Sequence, residues 1–123
     1  MIGYVTLGTN DLDRATRFYD ALLGEIGAKR MMQTERFVMW AVAADKPAFG
    51  VFTPHDGKPA TGGNGTMVAL AVDSPAKVEA LHRKALELGA TDEGAAGPRT
   101  LPGFNAGYFR DPDGNKLNFY CFT

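Results

Sequence analysis

The chain has 123 residues, 45% of them apolar and 22% charged, with a formal net charge of −1. That length fits one compact domain (1–123) burying roughly two thirds of its unfolded surface. The near-neutral balance, without a basic stripe, argues against a nucleic-acid partner, and a longest apolar run of only Phe37–Ala44 is far too short to span a membrane.

Ile2–Gly8 alternates and is rich in β-formers, which predicts a first strand. Strand-forming residues therefore begin almost at Met1, and no signal peptide is expected. Asp11 is a good N-cap for a helix from Leu12 to about Leu23, ended by Gly24, with Ala15, Phe18 and Leu22 on one face. Three strands follow, about Ala28–Thr34, Arg36–Ala43 and Ala48–Thr53, the last two joined by Asp45-Lys46-Pro47.

His55–Gly65 reads as a linker between residues 1–54 and 66–123, because it holds Asp56-Gly57, Pro59 and Gly62-Gly63-Asn64-Gly65. Its glycines precede a strand instead of joining a strand to a helix, so they lack a phosphate-binding context. A fifth strand is expected at about Thr66–Val72. Ser74-Pro75, a cap followed by proline at the first helical position, starts a second helix that runs to Leu88 and stops at Gly89. Its apolar face is Val78, Leu81 and Ala85. A sixth strand falls somewhere near Thr91–Thr100. Gly94–Gly103 reads either as a connector or as a segment closing over a site. A seventh strand, about Ala106–Arg110, turns at Asp111-Pro112-Asp113-Gly114-Asn115 into an eighth, Lys116–Phe122.

The chain repeats itself. Tyr4–Asp11 aligns with Met67–Ser74, 63 positions on (4 to 67), and Ala48–Phe52 aligns with Lys116–Tyr120, 68 positions on (48 to 116). The helix faces match as well: Ala15, Phe18 and Leu22 fall on Val78, Leu81 and Ala85. Each half is βαβββ, an α+β pattern, and two such modules facing one another would form a cleft.

Few residues in that cleft could hold a metal. The two histidines fall in the linker (His55) and on the second helix (His82, beside Arg83 and Lys84, where solvation is expected). All fourteen acidic residues are expected in helices, turns or loops, with none in a strand interior. No Ser-His-Asp or Cys-His arrangement is visible. The lone Cys121 permits no intramolecular disulfide, fits a reducing cytoplasm and is expected on the helix side of its strand.

Gly3–Tyr19 (Gly-Tyr-Val-Thr-Leu-Gly-Thr-Asn-Asp-Leu-Asp-Arg-Ala-Thr-Arg-Phe-Tyr) and Tyr108–Phe119 (Tyr-Phe-Arg-Asp-Pro-Asp-Gly-Asn-Lys-Leu-Asn-Phe) carry a resemblance to the vicinal-oxygen-chelate superfamily of glyoxalase I, bleomycin-resistance proteins and extradiol dioxygenases. The resemblance spans essentially the whole chain. It implies two βαβββ modules whose strands curve into a half-open cup. In metal-dependent members the ligands are His on strand 1, His or Glu on strand 5, Glu on strand 8 and a fourth residue on strand 4. This chain has Tyr4, Met67, Asn118 and Gly50 there, none of them a His or carboxylate, so no metal and no other cofactor is expected.

Strand alternation puts Tyr4, Thr6, Gly50, Phe52, Met67, Ala69, Ala71, Asn118 and Tyr120 toward the cup. Trp40 and Tyr108 correspond at the 68-residue offset and are expected to point inward from strands 3 and 7. The candidate ligand-binding residues are therefore Tyr4, Trp40, Phe52, Met67, Tyr108, Asn118 and Tyr120, an apolar and aromatic wall with a few polar tips. Tyr4 is either a core tyrosine or a ligand contact. Asn118 in a strand interior calls for a ligand or water partner. Trp40 sits in the cup or in a dimer interface. Arg30 and Arg110 are paired with carboxylates or serve an anionic ligand.

The resemblance and the wall together imply a cytoplasmic protein that binds a small organic, aromatic molecule without metal. One alternative is a lyase or isomerase with non-standard chemistry using Tyr4 and Asn118. Another is a non-catalytic dimerisation module. A homodimer is expected under each.

Overall fold

Two capping signals set the frame. The Asp11 carboxylate accepts the Arg14 amide at 3.0 Å, and helix α1 runs Leu12–Gly24. The Ser74 hydroxyl accepts the Lys77 amide at 3.2 Å, Pro75 fills the first helical position, and α2 runs Pro75–Glu87. Both helices close alike. The Ala28 amide reaches back to the Leu23 carbonyl and the Ala90 amide to the Ala85 carbonyl, across Gly27 (φ +82°) and Gly89 (φ +108°). The left-handed residue that ends α1 is thus Gly27, not Gly24.

The computed structural model describes all residues 1–123. Its strands are β1 (Tyr4–Gly8), β2 (Lys29–Gln33), β3 (Phe37–Ala41), β4 (Ala48–Phe52), β5 (Val68–Ala71), β6 (Thr91–Pro98), β7 (Phe104–Arg110) and β8 (Lys116–Phe122). They form two four-stranded mixed sheets, ordered β1-β4-β3-β2 and β5-β8-β7-β6. Each sheet contains one parallel pair, β1 with β4 and β5 with β8. The α+β architecture of two βαβββ modules is as expected, with no closed barrel: no strand of one sheet comes within 8 Å (Cα–Cα) of a strand of the other.

One core lies between the helices and the sheet faces turned toward them. Phe18, Tyr19 and Leu22 of α1 meet Val38 and Val51 of the first sheet and Phe109 and Phe119 of the second. The other face of each sheet is free of helix.

The Asp111–Asn115 turn ties the modules together. The buried Asp111 carboxylate accepts the Tyr19 hydroxyl at 2.6 Å, the Asp113 and Asn115 amides at 2.9 Å each, and Asn115 Nδ2 at 3.0 Å. Asp113 in turn accepts the Thr9 hydroxyl (2.6 Å), the Asn10 amide (2.9 Å) and Arg14 Nη2 (2.9 Å), while Asn115 Nδ2 donates to the Gly8 carbonyl. A turn between the last two strands of the second module therefore clamps the β1–α1 junction of the first.

The structure corrects several expectations. β5 begins at Val68, so Met67 lies just before the strand. The first part of Gly94–Gly103 is not a connector: β6 continues to Pro98, paired with β7 through two register shifts around Gly94. Asp92 and Glu93 therefore do sit in a strand, one engaged by His82 and the other by Arg110. His82 is not solvated. It is 6% exposed, packs over Gly107, and places Nε2 3.0 Å from the Tyr108 carbonyl. Its position one turn after Val78 was a signal for burial.

Candidate functional site

Packing into the core beneath the helices, read with strand alternation, identifies the two faces of each strand. On the first sheet Val38, Trp40, Phe49 and Val51 are buried toward α1, so Phe37, Met39, Gly50 and Phe52 share the open face with Tyr4 and Thr6. Tyr4 is 64% exposed. Phe37 and Phe52 stack with ring centroids 4.3 Å apart, and the Arg36 guanidinium lies 5.7 Å from the Phe52 centroid. A hollow of about 480 Å³ in front of them is lined by Tyr4, Thr6, Arg36, Phe52, Thr53 and His55, among others. His55, from the linker, thus stands at the rim.

On the second sheet Phe109, Leu117, Phe119 and Cys121 are buried toward α2, which leaves Tyr108, Lys116, Asn118 and Tyr120 on the open face. Tyr108 and Asn118 are cross-strand partners. Arg99 stands 4.8 Å and Lys116 5.5 Å from the Tyr108 ring centroid. Asn118 is only 2% exposed, yet its Oδ1 has no hydrogen-bond partner. A buried amide oxygen left so costs about 1–3 kcal/mol. Met67 and Ala69 lie beside this face on the β5 edge, both exposed.

The expected site residues therefore fall into two sets. Tyr4 and Phe52 share the first open face; Tyr108, Asn118 and Tyr120 share the second, with Met67 alongside. Trp40 belongs to neither. It is 2% exposed on the helix side, and its indole N–H donates to Asp20 of α1 at 2.8 Å. The cause is the hairpin. The β3–β4 connection, residues 42–47, is one residue longer than the β7–β8 connection, residues 111–115. The 68-residue offset that pairs Gly50 with Asn118 therefore becomes 69 across the turn, and Met39, not Trp40, is the counterpart of Tyr108. A slip of one residue turns a side chain to the other face.

The donor set does not fit a divalent metal. Tyr4 offers a phenol, Met67 a thioether and Asn118 an amide. At Gly50 even the space is taken: a Cβ there would stand 2.8 Å from Phe52 Cε1 and 2.9 Å from Met39 Cγ. No three His, Cys, Asp or Glu side chains cluster anywhere as a metal site.

The electrostatics separate committed cations from free ones. Arg30 is paired with Asp20 and Arg110 with Glu93, so neither is free for an anion. The Arg30 hydrogen bond, aided by the Trp40 indole, holds the Asp20 carboxyl below the usual carboxylate range. Asp92 is also lowered, first by the Gly94 amide and then by His82. Burial, followed by the charge and hydrogen bond of Asp111, pushes the Tyr19 phenol well above its ordinary value. Arg99 and Lys116 were the residues missed from sequence. Their signal was the alternation that puts Lys116 beside Asn118; nothing local marked Arg99.

Paired βαβββ modules with helix-free sheet faces carrying the strand 1, 4, 5 and 8 positions are the architecture of vicinal-oxygen-chelate proteins. The chain belongs to the Glyoxalase/Bleomycin resistance protein/Dioxygenase superfamily, whose family model matches residues 1–119. It is similar, at 35% identity and a TM-score of 0.90, to a glyoxalase/bleomycin resistance protein from Albidiferax ferrireducens T118, over 100% of this chain and 99% of that one. Two further structures share the fold at lower identity. One is a glyoxalase/bleomycin resistance protein/dioxygenase family enzyme from Burkholderia phytofirmans PsJN (20% identity, 98% of each chain, TM-score 0.80). The other is a lactoylglutathione lyase from Agrobacterium tumefaciens (21%, 98% of this chain and 92% of that one, TM-score 0.72). No curated protein matches the chain. No helix is long and apolar enough to cross a membrane.

Proposed function

We propose that this protein binds a small organic molecule with an aromatic part, without a metal ion, in cups formed between the open face of the first sheet of one copy and that of the second sheet of another. The reading rests above all on the aromatic and polar residues that helix-free faces leave uncovered. Tyr4 stands 64% exposed, and Phe37, Phe52, Tyr108 and Tyr120 are partly exposed. Single exposed apolar residues need no explanation, but aromatics grouped on two sheet faces with edge strands beside them do.

Two observations favour a cup shared between copies. The residues expected to converge are split over two faces that do not meet in one chain. The exposed edges of β1 and β5 offer the unpaired backbone for docking a second copy. A homodimer carrying two equivalent cups follows from two-fold symmetry. The lone buried Cys121 fits a reducing cytoplasm as its setting. Sequestration of the ligand, as in a resistance protein, needs no reactive group, and of the hydroxyls that line the hollow with His55, Thr53 donates to the Arg36 carbonyl instead of to the imidazole.

The test is metal analysis of the purified protein together with thermal shift against aromatic acids and their neutral amides. Absence of stoichiometric metal is expected, with stabilisation by some of these ligands that Tyr4→Phe or Asn118→Leu reduces. Stoichiometric metal would overturn the metal-free reading. A ligand response indifferent to both substitutions would overturn the cup.

A further inference from the structure

The second sheet's open face also carries information about ligand charge. We propose that the molecule held in the cup is an oxyanion, a carboxylate or phosphonate, that also carries a hydrogen-bond donor, and that Arg99, Lys116 and Asn118 hold it. This rests on the reading of the sheet faces as a cup and narrows the class of ligand.

Cations without a carboxylate within 4.0 Å are common here, but Arg17, Lys29, Arg36, Lys46 and Lys58 are all exposed, where a bare charge costs nothing. Lys84 is partly buried, in the last turn of α2, where the helix dipole favours it. Arg99 and Lys116 are partly buried, on one sheet face, against one aromatic ring. Two positive charges so placed, neither with a carboxylate within 4.0 Å, raise the local potential and attract an anion.

Arg99 is also held ready. Its Nε and Nη2 donate to the Ala106 carbonyl and Nη2 to the Ala95 carbonyl, which fixes the plane of the guanidinium and leaves Nη1 uncommitted. The Tyr108 ring backs it. A planar cation fixed by backbone carbonyls and an aromatic face loses little entropy on meeting an oxyanion. Asp92 is the carboxylate that feels Arg99, but the Gly94 amide and His82 already engage it.

Asn118 supplies the second half of the argument. It lies opposite Tyr108 and two residues along the same face from Lys116. Its unpartnered Oδ1 needs a donor, which an anionic group cannot provide. A hydroxyl or amine next to the acid would do so. Turned over, the same amide would donate to the anion itself.

The experiment measures binding of benzoate, mandelate and phenylphosphonate against their neutral counterparts benzamide, mandelamide and the phenylphosphonate diester, by calorimetry, on the intact protein. The acids should bind at least about tenfold more tightly than the neutral forms, with mandelate, which carries a hydroxyl, ahead of benzoate. Lys116→Gln should reduce acid binding toward the neutral level, with a much smaller effect on the neutral forms. Arg99→Gln should do the same; because Arg99 also bonds backbone, Lys116→Gln keeps the test alive should Arg99→Gln fold poorly. Neutral forms binding as well as the acids, or acid binding unchanged in Lys116→Gln, would overturn the inference while leaving the cup. No binding of any of the six compounds would overturn the cup reading and this inference with it.

Discussion

Gly107 of β7 shows how one missing side chain shapes the second module. A Cβ there would stand 2.9 Å from His82 Cδ2 and Cγ, so the glycine is what lets the imidazole approach the strand so closely. Gly107→Ala should therefore destabilise the protein by about 1–3 kcal/mol through overpacking. His82→Ala should remove most of that penalty, which a double-mutant cycle by urea denaturation would detect as coupling. Additive effects would show that the two residues do not press on each other. Trp40 offers a second test at this scale. As the only tryptophan, it reports on its own bond to Asp20. Asp20→Ala should cost about 1–3 kcal/mol and redden the Trp40 emission by freeing its indole N–H to water. The pH dependence has a definite sign. The Asp20 carboxyl titrates below its ordinary value, so its contribution is present above the usual carboxylate range and is lost as pH falls through the lowered pKa. Wild-type and Asp20→Ala stabilities should therefore converge in acid. Residue identity alone gave little warning of either site. A tryptophan on a strand can face either way, and only the hairpin length decides it.

At the scale of elements, caps and periodicity made most of the fold legible. Asp11, Ser74-Pro75 and the helix faces Ala15-Phe18-Leu22 and Val78-Leu81-Ala85 carried both helices, and the internal repeat carried the pairing of modules. β6 was hard to read because Gly94, Gly97 and two register shifts break the alternation that marks a strand. The Asp111–Asn115 turn was visible as a hairpin, but its reach to Thr9, Asn10, Arg14 and Tyr19 was not, because contacts so far apart in sequence leave no local pattern. That reach explains why the turn needs two aspartates. Asp111 gathers its own turn and the Tyr19 hydroxyl; Asp113, its side chain 2% exposed, holds the start of α1. Asp113→Ala leaves three donors without their acceptor and should cost about 2–3 kcal/mol, read by chemical denaturation. Tyr19→Phe should also be destabilising near neutral pH. Since the folded-state pKa of Tyr19 is raised, the stability it lends is complete below the ordinary tyrosine value of 10.0 and is lost as pH rises through the folded value. The gap between wild type and Tyr19→Phe should narrow above about pH 10. A gap that stays constant into that range would mean the phenol is not protected in the way its burial implies.

For the whole molecule, function turns on which sheet faces which. The sequence placed Tyr4, Phe52, Tyr108, Asn118 and Tyr120 on open faces but could not say that those faces lie apart in one chain. That follows from how α1 is clamped between the sheets and from the Asp113 latch, both of them long-range. If a cup joins the first sheet of one copy to the second sheet of its partner, the two half-sites can be damaged on different chains. Tyr4→Ala spoils the first half and Asn118→Leu the second, and each variant homodimer has both cups impaired. Mixed dimers of the two variants, formed by partial unfolding and refolding together, would then hold one cup with both defects and one cup with neither. Ligand binding should return at about half a site per mixed dimer protomer, by the closed two-fold arrangement, with the affinity of wild type. If each cup lay within a single chain, every cup in the mixture would keep one defect and no intact site would appear. Calorimetry of the mixture against the separate variants distinguishes the two, because stoichiometry and affinity are read independently. Recovery with weakened affinity would instead mean that Tyr4 or Asn118 acts across to the other cup, and the simple partition into half-sites would be wrong.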